Sequence, residues 1–189
     1  MRIILASQSP RRKELLSLIT KDFEVIVSDD DEIVDKNLPA IEQVKLIASN
    51  KAHDVAEKIE GDSIIIGSDT IVVVDEEILG KPKDEENAIY MLKKLNGRYH
   101  EVMTGISVIV KEKGKVIEHN DVCVTKVHIK DMTNEEIKKW LNTGNAWDKA
   151  GAYAVQQEFA VHVDKIEGNF ASVMGFPVHD VYDIIKKYI

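Results

Sequence analysis

From residue 41 to residue 59 the apolar side chains fall at Ile41, Val44, Ile47, Ala48, Ala52, Val55, Ala56 and Ile59. That three-and-four spacing predicts a helix buried along one face. DEENAIYMLKKLNG (84–97) predicts a second, capped helix ending at a glycine, and TNEEIKKWLNTG (133–144) a third, with a threonine cap and a closing glycine. A last helix is expected from about Gly175 to Tyr188. Elsewhere the pattern has the period of strands. HEVMTGISVIV and KVIEHNDVCVTKVHI alternate and are joined at KEKGK, a hairpin signal. FEVIVS (23–28) reads as a strand, and FAVHVDKI as another that follows the loop NAWDKAGAYAVQ. SIIIGSDTIVVVD (63–75) reads as two apolar strand pieces broken at Gly67-Ser68-Asp69-Thr70. Residues 3–17, ILASQSPRRKELLSL, open the chain as strand, tight turn and helix. The order begins β-α-β-α-β-α and ends in long paired strands, which predicts an α/β fold on a mixed sheet. No repeat, low-complexity stretch or linker interrupts it, so residues 1–189 are expected to form one domain.

Composition narrows the function classes. A net charge of −8 and an aromatic content of 6% argue against a nucleic-acid binder. The single cysteine, Cys123, excludes an internal disulfide and Cys-rich metal sites, and its alternating surroundings make it a packing residue. No stretch approaches a membrane span or a signal peptide, so a soluble cytoplasmic protein is expected.

Against that acidic background the opening turn stands out. Ser9-Pro10 suits a helix start, yet Arg11, Arg12 and Lys13 follow where the helix dipole disfavours cations. Either they are a solvated face, or they await an anion: a hydroxyl-rich turn with guanidinium forks matches phosphate oxygens. No Walker or dinucleotide glycine loop occurs. Asp69 interrupts an apolar strand, and it reads either as part of a bulge that bonds its own turn or as a general base or metal ligand. Lys51, Lys81 and Lys149 stand in tight contexts, each a surface charge alone but together a set of cations suited to a polyphosphate. The acidic run SDDDEIVD is either a solvated turn or the source of an oxygen ligand that joins Asp69 on Mg²⁺ or Mn²⁺. The six histidines form no close pair, which removes a zinc site.

Seven stretches then occur in order: LASQSPRRKELL, SNKA, IGSDTIVVVD, LGKPKDEENA, LNGRYHEVMTG, DKAGAYAVQ and IEGNFASVMGFPV. Together they resemble the Maf family of house-cleaning nucleotide pyrophosphatases. The resemblance implies an elongated mixed sheet flanked by helices, with two lobes and a central cleft, similar to the inosine triphosphate pyrophosphatases. It implies hydrolysis of nucleoside triphosphates between the α and β phosphates, with Mg²⁺ or Mn²⁺, in a homodimer. By the same resemblance Asp69 is catalytic, and Ser7, Ser9, Arg11, Arg12, Lys51 and Lys81 bind substrate. Glu32 and Asp69 hold the metal, while Arg12, Thr70 and Gln156 set specificity. The tyrosine-glutamine pattern in AGAYAVQ is similar to the dTTP/UTP-acting branch. One departure is local: the family's glutamine is usually followed by glycine, and here Gln157 takes that place. Members of the family have also been linked with inhibition of septum formation, so a nucleotide-sensing regulatory protein is the rival reading.

Overall fold

The computed structural model describes residues 1–29 and 35–189. Among these, seven strands form one mixed sheet in the order β2-β1-β3-β5-β6-β7, with β4 added to β3. The chain divides into two compact units: Met1–Asp69, Thr104–Cys123 and Met174–Ile189 in the first, Thr70–Met103 and Val124–Val173 in the second.

In the first unit β1 (Arg2–Leu5) pairs in parallel with β2 (Glu24–Val25) and with β3 (Ser63–Val74), Ile4 lying opposite Ile65. Helix α1 (Pro10–Leu16) follows β1, and α2 (Ala40–Lys58) precedes β3. α2 buries Val44, Ile47, Ala48, Lys51, Ala52, Val55 and Ala56, the face its sequence period predicts. Its C-terminal half joins Ile4, Ala6, Ile65 and Ile109 in one core cluster. Its end is fixed by Lys111, which donates to the carbonyls of Ala56 (3.1 Å) and Ile59, satisfying acceptors that a helix terminus leaves open.

β3 is one continuous strand of 12 residues, so the expected break at Gly67–Thr70 is not there. Gly67 has another role. A Cβ at that position would lie 2.3 Å from the Ala48 carbonyl oxygen and 2.9 Å from the Ala52 nitrogen. Gly105, in β5 (Tyr99–Glu112), would likewise meet the Val44 oxygen at 2.5 Å. Both glycines let the α2 backbone lie directly on the sheet. In a sequence, close approach and a bulge leave the same mark.

The second unit holds β4 (Glu77–Leu79), antiparallel to β3 across a turn with Asp75 and Glu76 at φ 49° and 63°. α3 (Glu85–Leu95) is capped by Asp84, which accepts from the Asn87 N–H at 2.8 Å. β5 and β6 (Lys115–Ile129) are the predicted hairpin, and its turn at Lys113-Gly114, with φ 50° and 74°, falls in the first unit. α4 (Asn134–Leu141) opens with a full capping box between Thr133 and Glu136. FAVHVDKI divides: residues Gln157–His162 are 3-10 helical and only Val163–Glu167 form β7, antiparallel to β6. A separate turn of helix, α5 (Phe170–Val173), ends this unit, and the expected last helix, α6 (Val178–Ile185), is shorter than predicted and belongs to the first unit.

Candidate functional site

Alternation along β3 places Ile65, Gly67 and Asp69 on one face. Because Gly67 admits α2 so closely, the helix position one turn on, Lys51, comes to Asp69. Its Nζ donates to Asp69 Oδ1 at 2.7 Å. Lys51 is only 8% exposed, and a buried ammonium persists only when it is paired. The long stem across an apolar helix face, read from its alanine neighbours, is what delivers the charge.

The opening turn contributes Ser7 and Arg12. Ser7 is buried, and its Oγ accepts from the Ser9 N–H and from Arg12 Nη1, both at 3.2 Å. Arg12 Nε donates to the Gly175 carbonyl at 3.0 Å, and Nη2 stands 3.8 Å from Asp69 Oδ1. Ser9 occupies the cap position with Pro10 after it, but its hydroxyl makes no cap bond. The cation puzzle is partly resolved here. α1 has only 7 residues, so Lys13 already lies in its last turn, where the dipole favours a cation. Arg12 leaves the helix end for a carbonyl, a hydroxyl and a carboxylate. Arg11 is half-buried.

Two residues that sequence reasoning did not single out join this group. Ser68 Oγ, fully buried, donates to the same Gly175 carbonyl at 3.0 Å. Gly175 has φ 104°, a conformation that favours glycine. The available signal was a hydroxyl inside an apolar strand, which must find an acceptor. The acceptor itself, 107 residues away, left none.

In the second unit Thr70 and Gln156 are half-buried and Lys81 is exposed. The loops that carry Lys81 and Gln156 are tied by the Gly151 N–H, which donates to the Gly80 carbonyl at 3.0 Å. Gly151, Ala152 and Gln157 all have left-handed φ, at 69°, 60° and 60°. The Trp140 indole N–H holds the Ala152 carbonyl at 2.8 Å, and the Tyr153 hydroxyl meets His100 Nε2 at 2.6 Å. Burial pushes the His100 pKa down to about 4 and raises that of Tyr153. Lys149 turns to its own loop, donating to Asp148 at 2.7 Å and to the Asn145 carbonyl. It is thus a loop brace.

Glu32 lies outside the described residues, as does most of the acidic run. Among the described residues no three His, Cys, Asp or Glu side chains gather as a metal cage. Among the described residues Asp69 is one carboxylate, paired with Lys51 at 2.7 Å and with Arg12 3.8 Å away. An ion of the Mg²⁺ kind takes one or two carboxylates and fills its sphere with water and substrate phosphates, so Asp69 could supply at most one of its protein ligands.

Two proteins of known name are similar to this chain along nearly its whole length. A protein of Thermoanaerobacter sp. (strain X514), named dTTP/UTP pyrophosphatase, is 46% identical over 187 residues, covering 99% of this chain and 96% of its own. A protein of the same name from Lachnoclostridium phytofermentans is 46% identical over 187 residues, covering 98% of this chain and 94% of its own. Among solved structures, a nucleoside-triphosphatase / dITP/XTP pyrophosphatase from Mycobacterium abscessus matches with a TM-score of 0.40 and 14% identity. It covers 70% of this chain and 76% of its own, and at that score it adds no weight. The family profile described as Maf-like protein spans residues 2–188, and with relatives this close over their full length the chain belongs to the Maf-like protein family.

Proposed function

We propose that this chain hydrolyses dTTP and UTP between the α and β phosphates, giving the nucleoside monophosphate and pyrophosphate. One observation carries the reading: the Asp69 carboxylate held between Lys51 at 2.7 Å and Arg12 at 3.8 Å, in a chain whose full-length relatives are named for that activity. Asp69 takes a proton from water as its oxygen attacks the α-phosphorus, and the bond to the bridging oxygen breaks to release pyrophosphate. Ser7, Ser9, Arg11, Arg12, Lys51 and Lys81 bind the triphosphate, since charge neutralisation is the main task in phosphoryl transfer. Arg12, Thr70 and Gln156 select the pyrimidine nucleotide. Asp69 and Glu32 would hold Mg²⁺ or Mn²⁺, whose chemistry when bound is to neutralise phosphate charge.

The chain is read as one domain acting in the cytoplasm as a homodimer. No helix among the described residues is long and apolar enough to cross a membrane. Sedimentation as a monomer would overturn the homodimer.

The test is a turnover assay with Mg²⁺ or Mn²⁺ across dTTP, UTP, CTP, ATP, GTP and 7-methyl-GTP, with products identified. Pyrophosphate released preferentially from dTTP and UTP is the expected result. Asp69→Asn is expected to lower kcat by about 10³-fold, the range for loss of a general base. Tight binding without turnover would instead favour the regulatory role.

A further inference from the structure

We infer that Ser68 is a positioning residue for Arg12, acting through the carbonyl of Gly175; the inference rests on reading Arg12 as a phosphate-binding group. The Ser68 hydroxyl is fully buried inside β3, where a hydroxyl is destabilising unless it is bonded. Its bond runs 3.0 Å to the Gly175 oxygen. Arg12 Nε meets that oxygen at 3.0 Å as well. A carbonyl oxygen has two lone pairs, so one acceptor serves both donors, and the Ser68 bond fixes the direction in which the other lone pair points. Ser7 Oγ holds Nη1 at 3.2 Å. With two of its nitrogens placed, the guanidinium plane is set.

The consequence lies at Nη2. It stands 3.8 Å from Asp69 Oδ1, outside hydrogen-bond range, while Lys51 occupies that oxygen at 2.7 Å. Left to itself, an arginine beside a carboxylate closes into a two-point fork, the strongest pairing open to it. Such a fork would tie the Arg12 donors to Asp69. Gly175 and Ser68 hold the guanidinium back from that fork. The Gly175 peptide, at φ 104°, belongs to the segment following α5, remote in sequence from both partners. The hydroxyl of Ser68 is the neighbouring group that pins it.

The test is a double-mutant cycle of Ser68→Ala with Arg12→Lys, read in two ways. The first readout is kcat/KM on dTTP. Ser68→Ala is expected to lower it about 10-fold in the wild-type background and less than about 2-fold with Arg12→Lys, since coupled residues are non-additive. Ser68→Thr, which keeps the hydroxyl, is expected to restore it. The second readout is solvent exchange of the Arg12 Nε–H by ¹⁵N NMR, expected to quicken about 10-fold in Ser68→Ala. Equal losses in both backgrounds, or an unchanged Nε–H exchange, overturn the inference. Should Ser68→Ala not fold, Ser68→Cys has a similar volume with a weaker donor and takes its place. A wild-type chain that turns over no nucleotide defeats the hydrolase reading alone, and the Nε–H exchange still decides the role of Ser68.

Discussion

Gln157 stands at φ 60°, a conformation that an L side chain resists by about 1–2 kcal/mol and a glycine does not. The family motif has glycine there, so the departure seen in the sequence is a local strain in the structure. Gln157→Gly is expected to stabilise the fold by about 0.5–1 kcal/mol after glycine's extra chain entropy is subtracted, measurable by urea unfolding. His100 sets a different residue-scale expectation. Its pKa falls from 6.5 to about 4 because burial disfavours the imidazolium. The unfolded chain therefore binds more protons between these values, so the stability His100 contributes is full above pH 6.5 and is lost as pH falls toward 4. The difference corresponds to about 3 kcal/mol. His100→Gln is expected to flatten the acid limb of a stability–pH curve over that window, and an unchanged limb would contradict the burial argument. Lys51 and Asp69 stood out at this scale because a charge interrupts an apolar pattern, whereas Ser7 was named through the family resemblance alone. Gly175 interrupts no such pattern, and nothing along the chain announces its carbonyl.

Elements were legible where one face repeats. The period of α2 predicted 41–59 and the helix runs Ala40–Lys58, because its buried stripe is as long as the helix itself. The predicted strand at 23–28 is only two residues, Glu24–Val25, since side-chain pattern does not report whether a neighbouring strand extends far enough to pair. β4 was missed because its turn, Asp75-Glu76, lacks the glycine or asparagine that marks tight hairpins. Between α2 and β3 the decisive contact is backbone on backbone at Gly67. Gly67→Ala is expected to push α2 away from the sheet, destabilise the protein by about 1–3 kcal/mol as overpacking does, and lower kcat on dTTP through displacement of Lys51. Thermal melts and steady-state kinetics on the same variant check both halves. Normal turnover in a folded Gly67→Ala protein would separate Lys51 from catalysis.

For the whole molecule, the net charge of −8 and the cations around Asp69 pull in opposite directions. Asp69 is already paired with Lys51, so under the proposed function a divalent ion is expected to be held chiefly together with substrate phosphates. Mg²⁺ alone is therefore expected to leave Tm nearly unchanged, whereas Mg²⁺ with a non-hydrolysable α,β-methylene dTTP should raise it. At 100 times Kd that stabilisation is about 2.7 kcal/mol. EDTA should abolish turnover without unfolding the protein. A large Tm rise with Mg²⁺ alone would point to a preformed site that includes Glu32.

The obstacle facing any side chain at position 67 is the carbonyl oxygen of Ala48 and the amide nitrogen of Ala52. These are main-chain atoms, present whatever residues occupy positions 48 and 52. A genetic screen for suppressors of Gly67→Ala should therefore recover reversion to glycine and no compensating exchange at those two helix positions.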